Sequence, residues 1–237
     1  MKKDWKKLSR RELDRMIAIG RAAATLFEKK GYLETSIDNI AAASGFSKGG
    51  IFHYFSSKNE ILYFVLDNYM NTALAGLEER LKEKEEHFSK IKFIIFHHVE
   101  LYCLYTSEAK TLLHEANHLI PRHYNFIAAK ERKYYKIVES VVSNLFCNGL
   151  RKGQLKAITF SLFGMCNWIY SWYNPKGTVS PQELSEIIFG IFSKGIWNDN
   201  ISNGRKSKNA KKMNITSYDR NAPDPTNRKT LSVKAMR

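Results

Sequence analysis

One segment, residues 35–58, TSIDNIAAASGFSKGGIFHYFSSK, constrains the fold more tightly than any other part of the chain. Thr35 with Asp38 three residues on has the spacing of a capping box, which starts a helix with its first backbone donors satisfied. Ile37, Ile40 and Ala41 follow at helical spacing and supply one apolar stripe. Ser44-Gly45 breaks that pattern, because glycine takes the positive φ at which helices end. Ser47 restarts a helix as its N-cap, and Ile51, Phe52 and Phe55 continue the buried stripe. A second helix of barely two turns is too short to be stable alone. It must be held by the first helix and by the flanking chain, which is the logic of a helix-turn-helix DNA reader.

The rest of the chain reads as all-α. Its 237 residues are enough for one or two domains with a sizeable core, 13 Gly and 5 Pro are few, and no bounded strand alternation stands out. The net charge of +15 is unevenly placed. Residues 1–62 carry 12 basic against 7 acidic groups, residues 63–197 carry 16 against 13, and residues 198–237 carry 10 against 3. The middle is nearly balanced and the ends are basic, which suits either a polyanion or an ordinary solvated surface. Cys103, Cys147 and Cys166 are odd in number and far apart, so neither a disulfide framework nor a zinc knuckle follows, and a reducing cytoplasm is expected. No signal peptide is visible at the N-terminus, and the apolar run 157–173 is too short and too polar for a bilayer span, so no membrane partner is expected.

A basic arm is expected over residues 1–9. The first helix is expected from Arg11 to Lys30, ended by Gly31, and a long fourth helix from Ser56 or Ser57 to about Glu83. Further helices are expected over residues 88–105, 107–119, 121–147 and 157–173. Ser180-Pro181-Gln182-Glu183 starts a last one, with Ser at the N-cap and Pro at the first helical position. From residue 198 the composition turns to Asn, Ser, Lys and Arg, and disorder is expected.

Within this frame, Leu26-Phe27, Lys30-Gly31-Tyr32, Thr35-Ser36, Ile40-Ala41, residues 45–49 (GFSKG), His53-Tyr54-Phe55 and Lys58 keep their order and spacing over some forty residues. On these residues the run 10–70 resembles the N-terminal domain of the TetR/AcrR family of transcriptional regulators. The resemblance implies an N-terminal three-helix DNA-binding domain over 10–70 and a C-terminal helical effector-binding and dimerisation domain over 71–197. It implies no enzyme activity and no cofactor. The expected partners are double-stranded DNA with a palindromic operator, a small hydrophobic effector and a second copy of the chain. Thr35, Ser47, Lys48, Tyr54 and Lys58 match positions that grip the DNA backbone or groove edge, while Phe52 and His53 match positions that approach bases. Ser36 is expected to bind DNA as well, and Gly49 and Gly50 are expected to let the backbone come close to the groove. Members of the family more often have Tyr where Phe52 stands, so one hydrogen bond is missing here. Phe52 is open to two readings, packing on a thymine methyl or filling the core.

A competing motif lies in the second half. His114-Glu115-Ala116-Asn117-His118 spells H-E-x-x-H, which on a continuous helix places two imidazoles on one face to hold zinc, with the Glu as general base. His97, His98 or His123 would supply a third ligand for a zinc-dependent hydrolase. The bland reading is that these are pocket or surface residues. A non-specific DNA binder is the third class in play.

The region 157–192 is the other informative one. Trp168 and Trp172 fall four apart, and with Leu162, Ile187, Ile191 and Phe192 they offer more apolar surface than one subunit covers. A two-fold four-helix interface is the expected result. The Trp-x-x-x-Trp-Tyr run, the turn 174–177 and the Ser-Pro-Gln-Glu-Leu start more loosely resemble the acyl-CoA-responsive members of the same family. An effector pocket is expected from Phe96, Tyr102, Tyr105, Phe126, Trp168 and Trp172, with Arg122, Lys130 or Arg132 meeting the ligand's phosphates.

Overall fold

The computed structural model describes residues 9–146 and 150–196, without the side chain of Ile196. Among the described residues there are helices, turns and loops and no strand, so the all-α expectation holds. The basic arm before Ser9, the residues 147–149 and the basic tail lie outside the described residues.

Helix α1 (Arg10–Lys30) starts in a capping box: the Ser9 hydroxyl accepts the Glu12 N–H and the Glu12 carboxylate accepts the Ser9 N–H. Met16, Ile19, Ala23 and Phe27 form its buried face. Gly20 lies against α4 (Lys58–Leu74), where a Cβ would come within 3.2 Å of the Phe64 ring, so the missing side chain sets how closely these helices approach. Gly31 ends α1 at φ 84.

Helix α2 (Ile37–Ser44) begins one residue later than the Thr35–Asp38 box implies. Its N-cap is Ser36, which exchanges hydrogen bonds of 3.1 Å with Asn39 in both directions. Thr35 is only 1% exposed, and its hydroxyl donates to the Gly31 carbonyl at 2.8 Å, so it holds the preceding turn and does not cap the helix. Gly45 at φ 74 closes α2, and Ser47 caps the seven-residue α3 (Lys48–Tyr54) by accepting the Gly50 N–H at 3.0 Å.

The single helix expected from Ser57 to Glu83 is two. α4 ends at Leu74, Gly76 turns the chain at φ 63, and α5 (Leu77–Lys82) follows. Because buried Leu77 falls four residues after buried Ala73, the helical spacing runs straight through the break and hides it.

The remaining helices are α6 (His87–Leu104), α7 (Thr106–Glu115), α8 (Pro121–Ser143), α9 (Lys152–Asn167) and α10 (Pro181–Ile196). Two boundaries differ from expectation in a way that matters. α7 gives way at Glu115 to a short 3₁₀ turn over Ala116–His118, and α9 gives way at Asn167 to another over Trp168–Ser171. Tighter turns of three residues change which side chains share a face. At α10 the Ser180 hydroxyl accepts the Glu183 N–H at 3.1 Å, as the sequence implies.

One connected core runs through both halves, from Phe27, Phe55 and Phe64 to Ile91, Val138 and Leu162. Helix α4 packs on α1 and α2–α3 are carried beside it, while its other side meets α7 and α8. Helices α7 and α8 thus pack directly on the helix that opens with Lys58.

Candidate DNA-reading face and effector region

Helix α3 turns Ile51 and Tyr54 into the core and leaves Lys48, Gly49, Phe52 and His53 on the surface. Phe52 is 47% exposed, so the core reading of this side chain fails. The Lys48 ammonium lies 3.0 Å from the Asp38 carboxylate in an exposed pair. Exposed pairs of this kind contribute little, so the lysine is held only weakly to its partner.

The two glycines at the start of α3 have different reasons. A Cβ on Gly49 would meet nothing within 4 Å, which leaves the backbone open to close approach from outside. A Cβ on Gly50 would sit 3.2 Å from the Ser47 hydroxyl, so this glycine keeps the cap intact. Ser36 and Ser47 are exposed at neighbouring helix starts. Each hydroxyl accepts a backbone N–H and keeps one proton to give to an anionic oxygen.

Three of the sequence-predicted contact residues are turned inward. Thr35 is buried as described above. Tyr54 is buried, its hydroxyl accepts a hydrogen bond from the Arg15 guanidinium at 3.1 Å, and its ring stands edge-on to His53 at 4.9 Å. The Lys58 ammonium donates to the carbonyls of Tyr32, Leu33 and Thr35 at 2.7, 3.2 and 2.7 Å and lies 4.3 Å from the Tyr32 ring centre. All three of its protons are engaged, and burial lowers its pKa. In this structure the polar groups of all three are engaged within the protein, which steadies the outward residues of α3. Arg15, which steadies Tyr54, escapes sequence reasoning because it lies 39 positions away with no motif to flag it.

The H-E-x-x-H motif has a structural job. The helix stops at Glu115, so His118 is out of register with His114. His114 stands edge-on to Tyr170 at 5.4 Å, whereas His118 stacks on Tyr32 at 5.2 Å. Glu115 accepts the Tyr32 backbone N–H at 3.2 Å and approaches His118 at 3.4 Å. Asn59 completes the contact, donating to the His118 carbonyl at 2.8 Å and accepting the Ile120 N–H at 3.3 Å. Two imidazoles facing different neighbours do not share a metal ion, and no cluster among the described residues has the makings of a metal site. The motif instead joins the α1–α2 turn and the start of α4 to the α7–α8 connection. Glu28 adds a second tie, accepting from Lys110 at 2.8 Å and from Ser107.

The sequence matches two family models over the regions just described. Residues 19–63 match the bacterial regulatory proteins of the tetR family, and residues 85–196 match the tetracyclin repressor-like C-terminal domain. The chain belongs to the TetR family of transcriptional regulators. It is 21% identical over 188 residues to the HTH-type transcriptional repressor KstR2 of Mycobacterium tuberculosis, covering 76% of this chain and 91% of that one. A TetR-family regulator from Bordetella parapertussis 12822 superposes with a TM-score of 0.71 at 28% identity, over 75% of this chain and 93% of that one. AibR, solved in complex with isovaleryl coenzyme A and operator DNA, superposes with a TM-score of 0.66 at 27% identity, over 75% and 97% of the two chains.

In this TetR-family chain the expected effector residues do not line one cavity. Tyr102 is buried and Phe96 and Tyr105 are half-buried, but Arg122 is exposed and Phe126 is 50% exposed beside it. Trp168 and Trp172 are 63% and 60% exposed. Lys130 is committed to Asp67 and Asn71 on α4. What fills the interior instead is a polar network that the sequence did not reveal. His98 donates from Nε2 to the Asn167 amide oxygen at 2.8 Å and accepts the Tyr134 hydroxyl at Nδ1, 3.1 Å away. Tyr102 donates to the same amide oxygen at 3.3 Å. Burial drives the His98 imidazole down to about 4 and pushes the Tyr102 and Tyr134 hydroxyls up. Residues 36, 65 and 69 positions apart meet here only because α6, α8 and α9 pack together, so no local pattern marks them.

The C-terminal helices carry the exposed apolar surface. Phe160 on α9, Ile187 and Ile191 on α10, and both tryptophans face outward. Because α9 stops at Asn167, the tryptophans extend beyond the helix on a 3₁₀ turn and do not lie along one α-helical stripe. Among the described residues, no helix is long and apolar enough to cross a membrane.

Proposed function

We propose that this TetR-family regulator is a cytoplasmic homodimeric repressor that grips a palindromic operator and releases it when a small hydrophobic effector, of the acyl-CoA thioester class, binds the C-terminal half. The observation that carries the DNA reading is the outward set Lys48, Gly49, Phe52 and His53 on one short, capped helix. Lys48 with the Ser36 and Ser47 hydroxyls holds phosphates, which fixes register. His53 and Phe52 approach base edges, the latter as an apolar contact for a thymine methyl.

Dimerisation follows from the apolar surface of α9 and α10. Two copies of α3 must enter successive major grooves about 34–36 Å apart, and pairing the exposed faces of these helices supplies the two-fold axis. The effector class is supported by AibR, whose complex contains isovaleryl coenzyme A and operator DNA. Release needs only a ligand that prefers a dimer geometry in which the reading helices no longer match that spacing.

A gel-shift titration on the chain's own upstream DNA across salt concentrations tests the reading. Affinity should fall steeply with salt, Lys48→Ala should weaken binding at every sequence, and His53→Ala should flatten the preference between operator and mutated sites. A response independent of salt, or equal binding to all sequences in the unmodified protein, would overturn it.

A further inference from the structure

A broad depression of ligand size lies in the C-terminal half, and apart from Arg132 its lining falls outside the effector residues expected from the sequence. It lies between α5, the start of α6 and the outer face of α8, with a volume of about 650 Å³. Lys82, Lys90, Arg132, Lys133 and Lys136 stand around it, and Leu81, Ile137 and Val141 form its floor. Glu78 is the acidic residue in the lining, and it is already paired with Lys133 at 2.9 Å. Five cations against one carboxylate leave a net of +4 in one groove, whereas all of residues 63–197 together carry 16 basic and 13 acidic groups.

Three lysines elsewhere in this half are paired with carboxylates. Lys92 pairs with Glu186, Lys110 with Glu28 and Lys130 with Asp67, all within 2.8 Å. Among the described residues Lys82, Lys90, Arg132 and Lys136 make no ion pair. Arg132 and Lys136 are four apart on α8 and Lys133 and Lys136 three apart, spacings at which like charges repel and weaken a helix. On a convex face water would screen them. Here they line a shallow, solvent-open depression with an apolar floor, which brings several cations to the rim of one site.

We propose that this groove binds the phosphorylated head of the effector, an organic polyphosphate of nucleotide type, with its less polar part lying on Leu81, Ile137 and Val141. The proposal rests on the effector class given above and adds the place where it is held. The volume falls in the ordinary range for small-ligand sites, about 300–1,000 Å³. Operator DNA is a poor occupant. Ile120, one residue before α8, is bonded to Asn59 beside the reading domain, and Arg132 and Lys136 lie 12 to 16 residues further along, roughly 18–24 Å away at helical rise. The groove also has a route to the DNA face, because α8 packs on α4 and Lys130 bridges to Asp67 there.

The test is calorimetric titration of the full chain with isovaleryl coenzyme A, free coenzyme A, ATP and isovalerate, beside the variant Lys90→Glu/Lys136→Glu. Neither residue belongs to the reading face, so unliganded operator binding should be unchanged. The expected result is that both coenzyme A species bind the wild type in a salt-dependent manner and that the variant binds each at least tenfold more weakly. If the variant binds them as tightly as wild type, the groove is not the site, while the effector class stands. If ATP binds and is lost in the variant but no coenzyme A species binds, the groove stands and the effector class falls. If none of the phosphorylated probes binds, or if the variant instead loses retention of operator-free DNA, the proposal is overturned. Should charge reversal impair folding, Lys90→Gln/Lys136→Gln gives the same readings.

Discussion

The backbone N–H of Tyr32 donates to the side-chain carboxylate of Glu115 across 3.2 Å, linking the turn before α2 to the last residue of α7. These residues are 83 positions apart, and the same carboxylate approaches His118, which stacks on the Tyr32 ring. The N-terminal domain is thus fastened to the C-terminal half by a bond from its backbone, which no substitution at Tyr32 other than proline removes. Glu115→Ala leaves a part-buried N–H without its partner, a loss of about 1–3 kcal/mol. Glu115→Gln keeps an acceptor oxygen and should cost less. Asn59→Ala cuts the neighbouring tie to His118 and Ile120. Urea unfolding of both single variants and the double variant should show coupling above about 0.5 kcal/mol, since the two contacts share one joint. Strict additivity would mean that they act separately.

Lys58 and Lys48 look interchangeable in the sequence, but they should behave oppositely. Lys58 spends its ammonium on three carbonyls of the 32–35 turn, whereas Lys48 faces outward with Asp38 as its partner. Lys58→Ala should lower stability by about 1–3 kcal/mol, as expected for charge-assisted bonds in a part-exposed site. Lys48→Ala should leave thermal unfolding within about 0.5 kcal/mol of wild type and reduce DNA affinity alone. Paired thermal-shift and gel-shift measurements separate the two. A Lys58→Ala protein of wild-type stability would refute the inward role.

The DNA-reading unit was legible because its determinants are local: two caps, one left-handed glycine and an apolar stripe within 24 residues. Even there the cap fell on Ser36 rather than Thr35, since the hydroxyl of Thr35 is taken by Gly31, and a backbone acceptor one turn earlier leaves no mark in the pattern. The effector half was legible only as helices. Whether Phe126 and Trp168 face in or out depends on where α8 sits and where α9 stops, and Asn167 ends that helix while its amide serves His98 and Tyr102 on another. H-E-x-x-H was misleading for the same reason. The spacing presumes a continuous helix, and the 3₁₀ turn at Ala116 removes that premise.

The exposed apolar residues of α9 and α10 give a third prediction. Ile187 and Ile191 are 47% and 60% exposed on one flank of α10, while Leu184 and Ile188 on the adjoining flank are buried against the core. Ile187→Glu/Ile191→Glu should therefore leave the subunit folded and place charges in the pairing surface. Light scattering after gel filtration should show a dimer for wild type and a monomer for the variant. Operator affinity should fall at least tenfold, because a single reading helix makes half of the contacts. A variant that stays dimeric, or a monomer that binds the operator as well as wild type, would exclude this surface as the two-fold interface.

His98 gives the pH dependence a sign. Its imidazole is enclosed by Tyr134, Asn167, Tyr102 and Phe163, and burial is the largest cause of its fall to about 4 from the usual 6.5. The folded protein holds this group neutral, while the unfolded chain protonates it below about 6.5, so the unfolded state binds the extra proton on acidification. Stability is complete above that value, declines as pH falls from about 6.5 to about 4, and at the bottom of the window has lost about 3 kcal/mol from this group. His97, also lowered mainly by burial, acts in the same direction. Unfolding midpoints measured between pH 7.5 and 4.5 should therefore drop steadily. His98→Gln should start lower, having lost part of the Asn167–Tyr134 bridge, but follow a visibly flatter line. If wild type and variant run parallel through this window, the buried imidazole is not the group that titrates.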